Sequence, residues 1–225
     1  MTSKVGRFTP GAGAEEVNPH IFKAYDIRGL HGTEMDETTA KAIGRAFAHV
    51  LGRLRGKRAD ELRIGLGRDM RLTAPAMAAA LREGLVAEGA TVLDAGMVAT
   101  EMLYHLVGSR GLDGGAMVTA SHNPKAYTGV KLVREGALAL SGEAGIGDVQ
   151  AQVEAGLGPA PGGGTVEEVD VWEEYREHVL ALIDPANVAS IRVVQKAGFQ
   201  YERLAMLDGY DHPDHVFCLA RPPGG

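Results

Sequence analysis

The sequence predicts an α/β protein: a three-layer α/β/α domain with a short α+β tail. Short apolar runs of strand length alternate with stretches whose apolar residues recur at three and four, the two periods that separate strands from helices. Polar clusters stand directly after the strand-like runs, where open α/β sheets bind ligands. The chain of 225 residues is 45% hydrophobic, with 23 basic and 29 acidic side chains and a net charge of −6. Such a chain is long enough to bury roughly 70% of the surface its unfolded form exposes, so it needs no disulfide or metal to hold a core. The single Cys218 and the lack of an N-terminal apolar signal core point to a reducing, cytoplasmic location. No window approaches 18 uninterrupted apolar residues and there is no basic footprint, so neither membrane nor nucleic acid is expected as a partner.

The elements follow in order. Residues 1–17 carry Gly11, Gly13 and no apolar period, and read as a flexible lead-in. From Met35 to Arg55 the apolar Ala40, Ile43, Phe47, Val50, Leu51 and Leu54 trace one helix face, with Asp36 as N-cap. Leu62–Leu66 is a buried-type strand. Thr73 as cap, Pro75 in the first turn and apolar Met77, Ala80, Leu81 and Leu85 then give a helix that stops at Gly89. Thr91–Leu93 is strand-like, Thr100 opens a helix carrying Met102, Leu103, Leu106 and Val107, and Ala116–Ala120 is a third strand. This alternation implies parallel pairing with right-handed crossovers, and one α/β/α domain over residues 18–155. Five glycines and two prolines in Gly156–Gly164 make a linker. Thr165–Asp170 reads as a strand and Val171–Leu182 as a helix, so residues 156–183 lead out of the domain, and 184–225 form the tail.

Three polar clusters could carry chemistry: Thr119–Pro124 after the strand Ala116–Ala120, Gly67–Arg71 after Leu62–Leu66, and Lys23–Gly29 near the N-terminus. Ser121 in a strand-end turn, followed by His122, Asn123 and Pro124, is a small hydroxyl held where phosphates bind, although the same four residues are turn formers in their own right. A Ser-His hydrolase is a weak option, because neighbours in sequence are not the bonded pair of a triad and no Gly-x-Ser-x-Gly elbow surrounds Ser121. The Arg68-Asp69-x-Arg71 cluster reads equally as a structural salt-bridge network and is left out of catalysis.

Four blocks occur in order: Ala24-Tyr25-Asp26-Ile27-Arg28-Gly29, Gly67-Arg68-Asp69-x-Arg71, Thr119-Ala120-Ser121-His122-Asn123-Pro124 and Gly129-Val130-Lys131. Together they resemble the N-terminal α/β/α domain of the α-D-phosphohexomutases, the phosphomannomutase/phosphoglucomutase family, over about residues 18–183. The resemblance implies an isomerase acting by intramolecular phosphoryl transfer. Ser121 matches the serine that carries the transferable phosphoryl group. Lys131 and Arg28 match basic residues that assist proton transfer and hold the phosphoserine, with Tyr25, His122 and Asn123 lining the same site. It further implies a phosphorylated hexose as substrate (a glucose or mannose phosphate), hexose 1,6-bisphosphate as intermediate and activator, and Mg2+ bound in part through the Ser121 phosphate.

Some of the family pattern is missing. The Asp-Gly-Asp-Gly-Asp-Arg loop that supplies its metal carboxylates is not in this sequence, nor are the segments that recognise the sugar, and Thr128 stands where the family commonly has Asn. The chain is therefore expected to be inactive alone. From Asn187 to Phe199 it resembles the last helix and turn of GNAT-type N-acetyltransferases, with Tyr201–Leu219 as their closing strands. That likeness would set Asn187 and Ser190 beside the pantetheine arm of acetyl-CoA, but the pyrophosphate-gripping loop is missing. A non-catalytic truncated or chimeric chain and an N-acetyltransferase remnant stay open beside the mutase. Asp211-His212-Pro213-Asp214-His215 has metal-capable side chains, but a proline turn between two strands explains it better.

Overall fold

The computed structural model describes residues 17–141, 145–206 and 211–219; of the predicted lead-in over 1–17, all but Val17 lies outside them. The chain divides into two compact units, Met1–Val169 and Asp170–Gly225.

In the first unit the elements are β1 (Ile27–Leu30), α1 (Glu37–Arg55), β2 (Arg63–Arg68), α2 (Ala74–Ala87), β3 (Thr91–Met97), α3 (Thr100–Ser109), β4 (Gly114–Val118), β5 (Tyr127–Arg134), α4 (Gly147–Ala155) and β6 (Thr165–Glu168). The strands form one sheet in the order β1-β5-β4-β2-β3-β6. Strand β2 pairs in parallel with β3 and β4, and β3 with β6, as the strand-helix alternation requires. The expectation of purely parallel pairing fails at β5, which runs antiparallel to both β4 and β1. Residues 119–126 are too few for a crossover helix, so the chain turns back beside the strand it has just left.

Asp36 caps α1, its carboxylate accepting from the Thr39 amide at 2.8 Å. Gly56, with φ +63°, ends the helix in the left-handed conformation that glycine adopts without a Cβ clash. Thr73 precedes α2 but its side chain makes no capping bond, so the predicted cap is not formed. Proline near the helix start does without one of the amides a cap would have served. Ile43, Phe47 and Leu51 of α1 and Leu81 and Leu85 of α2 join Ile64, Leu66, Val92, Val118 and Val130 of the sheet and Val149 and Val153 of α4 in one buried cluster. Helices α1 and α2 touch backbone to backbone: a Cβ at Gly44 would stand 2.3 Å from the Leu81 carbonyl oxygen, and one at Gly84 2.2 Å from that of Lys41. Helix α3 packs on the opposite sheet face, where a Cβ on Gly65 would meet Leu103, Leu106 and Leu112. The result is the three-layer α/β/α arrangement.

The second unit holds α5 (Trp172–His178), β7 (Leu180–Ile183), α6 (Val188–Lys196), β8 (Phe199–Ala205) and β9 (Asp214–Leu219), with an antiparallel sheet in the order β7-β9-β8. The helix predicted over Val171–Leu182 stops at His178, because the apolar run after it is taken up by pairing with β9. Asn187 caps α6, its side chain accepting from the Ser190 amide at 3.1 Å. Gly198, at φ +93°, turns the chain into β8. The chain bends at residues 211 and 212 before β9, and His215 packs edge-on to Tyr201 at 5.0 Å. Among the described residues no helix is long and apolar enough to cross a membrane.

Candidate active site

The site is built where β4 ends. Thr119 and Ala120 are buried, and Ser121 is exposed at φ +53°. A side chain in that left-handed region costs on the order of 1–3 kcal/mol and persists only where the surroundings over-determine it. Here they do. The Thr119 amide donates to the Gly129 carbonyl at 2.9 Å, and the Thr119 hydroxyl oxygen accepts from the Ser121 amide at 2.9 Å. The Asn123 amide and its side-chain nitrogen both donate to the Ala120 carbonyl, at 3.0 and 2.7 Å. The turn chemistry of Ser-His-Asn-Pro is thus used, and it presents the hydroxyl. Although Ser121 and His122 are sequence neighbours, the chain reversal brings Oγ to 3.2 Å from the His122 Nδ1.

The second polar cluster supports the first. Asp69 follows β2 and its amide donates to the Val118 carbonyl at 2.9 Å, joining the ends of β2 and β4. Its carboxylate accepts from the Arg71 amide at 2.9 Å and stands 3.3 Å from Arg71 Nε. The salt-bridge reading of Arg68-Asp69-x-Arg71 is correct for Asp69 and Arg71, but the rest of the Arg71 guanidinium reaches across to the Ser121 loop. Nη2 donates to the carbonyls of Ser121 and Asn123 at 2.8 and 2.7 Å, and Nη1 to those of Pro124 and Tyr127 at 3.1 and 3.3 Å.

Lys131 comes from β5, the strand beside β4, and Arg28 from β1, the next strand out. Gly129 pairs with Arg28 and Lys131 with Met117, and residues 129 and 131 are two apart, so all four share one sheet face. Asp26 ties the two cations together: Arg28 Nε stands 3.4 Å from one carboxylate oxygen, and Lys131 Nζ 3.9 Å from the other. The Lys131 and Arg28 side chains stay 28% and 38% exposed, so the pair carries one net positive charge that a ligand can reach. Gly129 is required here: a Cβ would lie 2.4 Å from the Ile27 carbonyl oxygen and 3.0 Å from both the Arg28 Cβ and the Thr119 carbonyl oxygen. Tyr25 lies just before β1, 71% exposed.

The sequence pattern described as phosphoglucomutase/phosphomannomutase, alpha/beta/alpha domain I, matches residues 19–156. The chain belongs to the phosphoglucomutase/phosphomannomutase family. Phosphomannomutase of Salmonella montevideo is 43% identical over 184 residues, covering 80% of this chain and 39% of that protein. Phosphomannomutase of Vibrio cholerae is 38% identical over 178 residues, covering 79% of this chain and 38% of that protein. The crystal structure of a phosphoglucomutase/phosphomannomutase family protein from Burkholderia thailandensis aligns with a TM-score of 0.61 at 35% identity, over 72% of this chain and 35% of that one. The chain thus spans about two fifths of the curated relatives' length.

On this family domain, Ser121, His122 and Asn123 line one open depression together with Asp69, Arg71, Lys125 and the first residues of α3. Arg28, Lys131 and Tyr25 lie outside that lining, on β1, its approach and β5. Sequence reasoning did not single out Asp26, Lys125 or the reach of Arg71; Asp26 and Arg71 sat inside the recognised blocks, and only the strand order shows what they touch. The Mg2+ that the resemblance implies finds no ready site among the described residues. Among the described residues no three His, Cys, Asp or Glu side chains converge where they could hold a metal ion, and the Asp69 carboxylate beside Ser121 is engaged by Arg71. These residues do not fit a metal by themselves, and no chemistry is routed through one.

Proposed function

We propose that this chain carries the phosphoryl-accepting serine of a phosphohexomutase, with hexose 1- and 6-phosphates of glucose or mannose as substrates. The observation that carries the reading is Ser121: a hydroxyl held exposed in a left-handed turn at the carboxyl end of β4, with the reachable cations Lys131 on the neighbouring strand β5 and Arg28 on β1 beyond it. A phosphoryl group in flight needs little covalent help from protein, so positive charge and positioning supply the catalysis. Lys131 and Arg28 supply that charge, Tyr25 offers an exposed ring to the sugar, and Asn123 fixes the turn.

In the first half of the proposed reaction a sugar hydroxyl oxygen bonds to phosphorus, the phosphorus–Oγ bond of phosphoserine breaks, and the sugar's hydroxyl proton ends on the released Oγ. His122 Nδ1, 3.2 Å from Oγ, stands within reach to pass that proton. The bisphosphorylated sugar then reverses its orientation, its other phosphate returns to Oγ, and the net change is isomerisation. Hexose 1,6-bisphosphate added from outside charges an empty Ser121 by the same transfer. The relatives are more than twice as long as the matched region, and we propose that net isomerisation uses segments matching that further length. Conversion of glucose 1-phosphate to glucose 6-phosphate, measured with magnesium and glucose 1,6-bisphosphate, tests this. The 225-residue chain is expected to run no faster than its Ser121→Ala variant; robust turnover that the variant abolishes would show that the chain completes the site unaided.

A further inference from the structure

Resting on that reading, we infer that Arg71 is a positioning residue for phosphoryl transfer: its guanidinium fixes the backbone shape in which Ser121 presents Oγ. The Ser121 backbone, at φ +53°, lies in a conformation that an L-residue leaves when nothing restrains it. Hydrogen bonds within the loop restrain its amides, at Ser121, Asn123 and Tyr127. Its carbonyls at Ser121, Asn123, Pro124 and Tyr127 all converge on Arg71. One side chain therefore reads the curvature of the whole loop. The Arg71 side chain is only 16% exposed, and Asp69 holds its Nε edge, so the fork is aimed before any ligand arrives. A lysine ammonium, a compact charge with three donors, cannot reproduce four contacts in one plane. Because the Arg71 fork meets this loop at its backbone carbonyls, it acts on Oγ through the backbone rather than by contact.

The test uses the whole 225-residue chain, with Arg71→Ala and Arg71→Lys beside the wild type. Amide hydrogen exchange reads the loop, and intact mass reads the rate at which Ser121 takes a phosphoryl group from glucose 1,6-bisphosphate in the presence of magnesium. Arg71→Ala is expected to speed exchange at the Ser121, Asn123 and Tyr127 amides about tenfold or more while α1 and β2 stay protected. It is expected to slow Ser121 phosphorylation about 10- to 100-fold, the scale of a small misplacement of reacting atoms. Arg71→Lys should behave like the alanine variant, and dilute guanidinium ion should restore part of the rate in Arg71→Ala but not in wild type. Unchanged loop exchange, an unchanged phosphorylation rate, or loss of protection throughout the first unit would each overturn the inference and leave the functional reading standing. A wild-type chain that accepts no phosphoryl group at all would instead overturn the functional reading, and this inference with it.

Discussion

Ser121 stands in a conformation natural to glycine, and what holds it there is distributed over residues far apart in sequence. Its turn was legible from Ser-His-Asn-Pro alone, since those residue types close turns through their own side chains. The Arg71 fork was not, because the sequence gives no sign that the ends of β2 and β4 are adjacent. Asp26 was hidden for the same reason: its partners are a neighbour on β1 and Lys131, 105 positions later. Gly129 is the point where this geometry is most sensitive. Gly129→Ala is expected to destabilise the fold by about 1–3 kcal/mol, the range of overpacking against atoms that cannot move aside, because its Cβ would press on two backbone carbonyl oxygens. Denaturant unfolding followed by circular dichroism would measure this; an unchanged midpoint would mean that the β1–β5 pairing is looser than described.

At the scale of elements, the helices were the most readable, since α1, α2 and α3 each bury one face of a 3.6-residue period. The capped start of α1 makes a direct prediction. The Thr39 amide and hydroxyl hold the Asp36 carboxyl below the ordinary carboxylate range, and Asp36→Ala should cost about 1 kcal/mol of stability. Asp113, just before β4, gives a pH dependence. Burial pushes its carboxyl up, but hydrogen bonds from the Lys57 ammonium, the Arg63 amide and the Arg55 guanidinium outweigh this and leave it below the ordinary value. A carboxylate whose pKa is lower folded than unfolded adds stability above its unfolded pKa of about 4 and loses it as pH falls through the folded value. Stability measured from pH 6 down to pH 2.5 should therefore fall below about pH 4, and fall less steeply in Asp113→Asn. Equal slopes would contradict the assignment. Strand β5 and the end of α5 were not readable, because period and propensity do not say which way a strand runs or when pairing with a later strand will cut a helix short.

For the whole molecule, the family assignment and the α/β/α layering were legible because the strand-helix alternation is plain and the four motif blocks all belong to one sheet, two at the ends of β2 and β4 and two on β1 and β5. Where the chain divides was harder: strand β6 joins the first sheet through β3, whereas β7 pairs with β9, which lies further along the chain. The second unit has little core of its own on α6, which has no buried residue, and β8 leaves Tyr201 and Leu204 exposed. Regions with few buried apolar contacts open at low free energy. Hydrogen exchange should therefore find 188–205 much less protected than 63–134, and equal strong protection would show a firmer second unit than its burial implies. The central claim concerns Ser121, and the measurement that tests it most directly is peptide mapping by mass spectrometry after incubation with glucose 1,6-bisphosphate and magnesium. The account predicts one phosphoryl group, on Ser121, absent from Ser121→Ala and reduced when Lys131 or Arg28 is replaced by alanine. No phosphoryl transfer, or transfer to another residue that persists in Ser121→Ala, would contradict it.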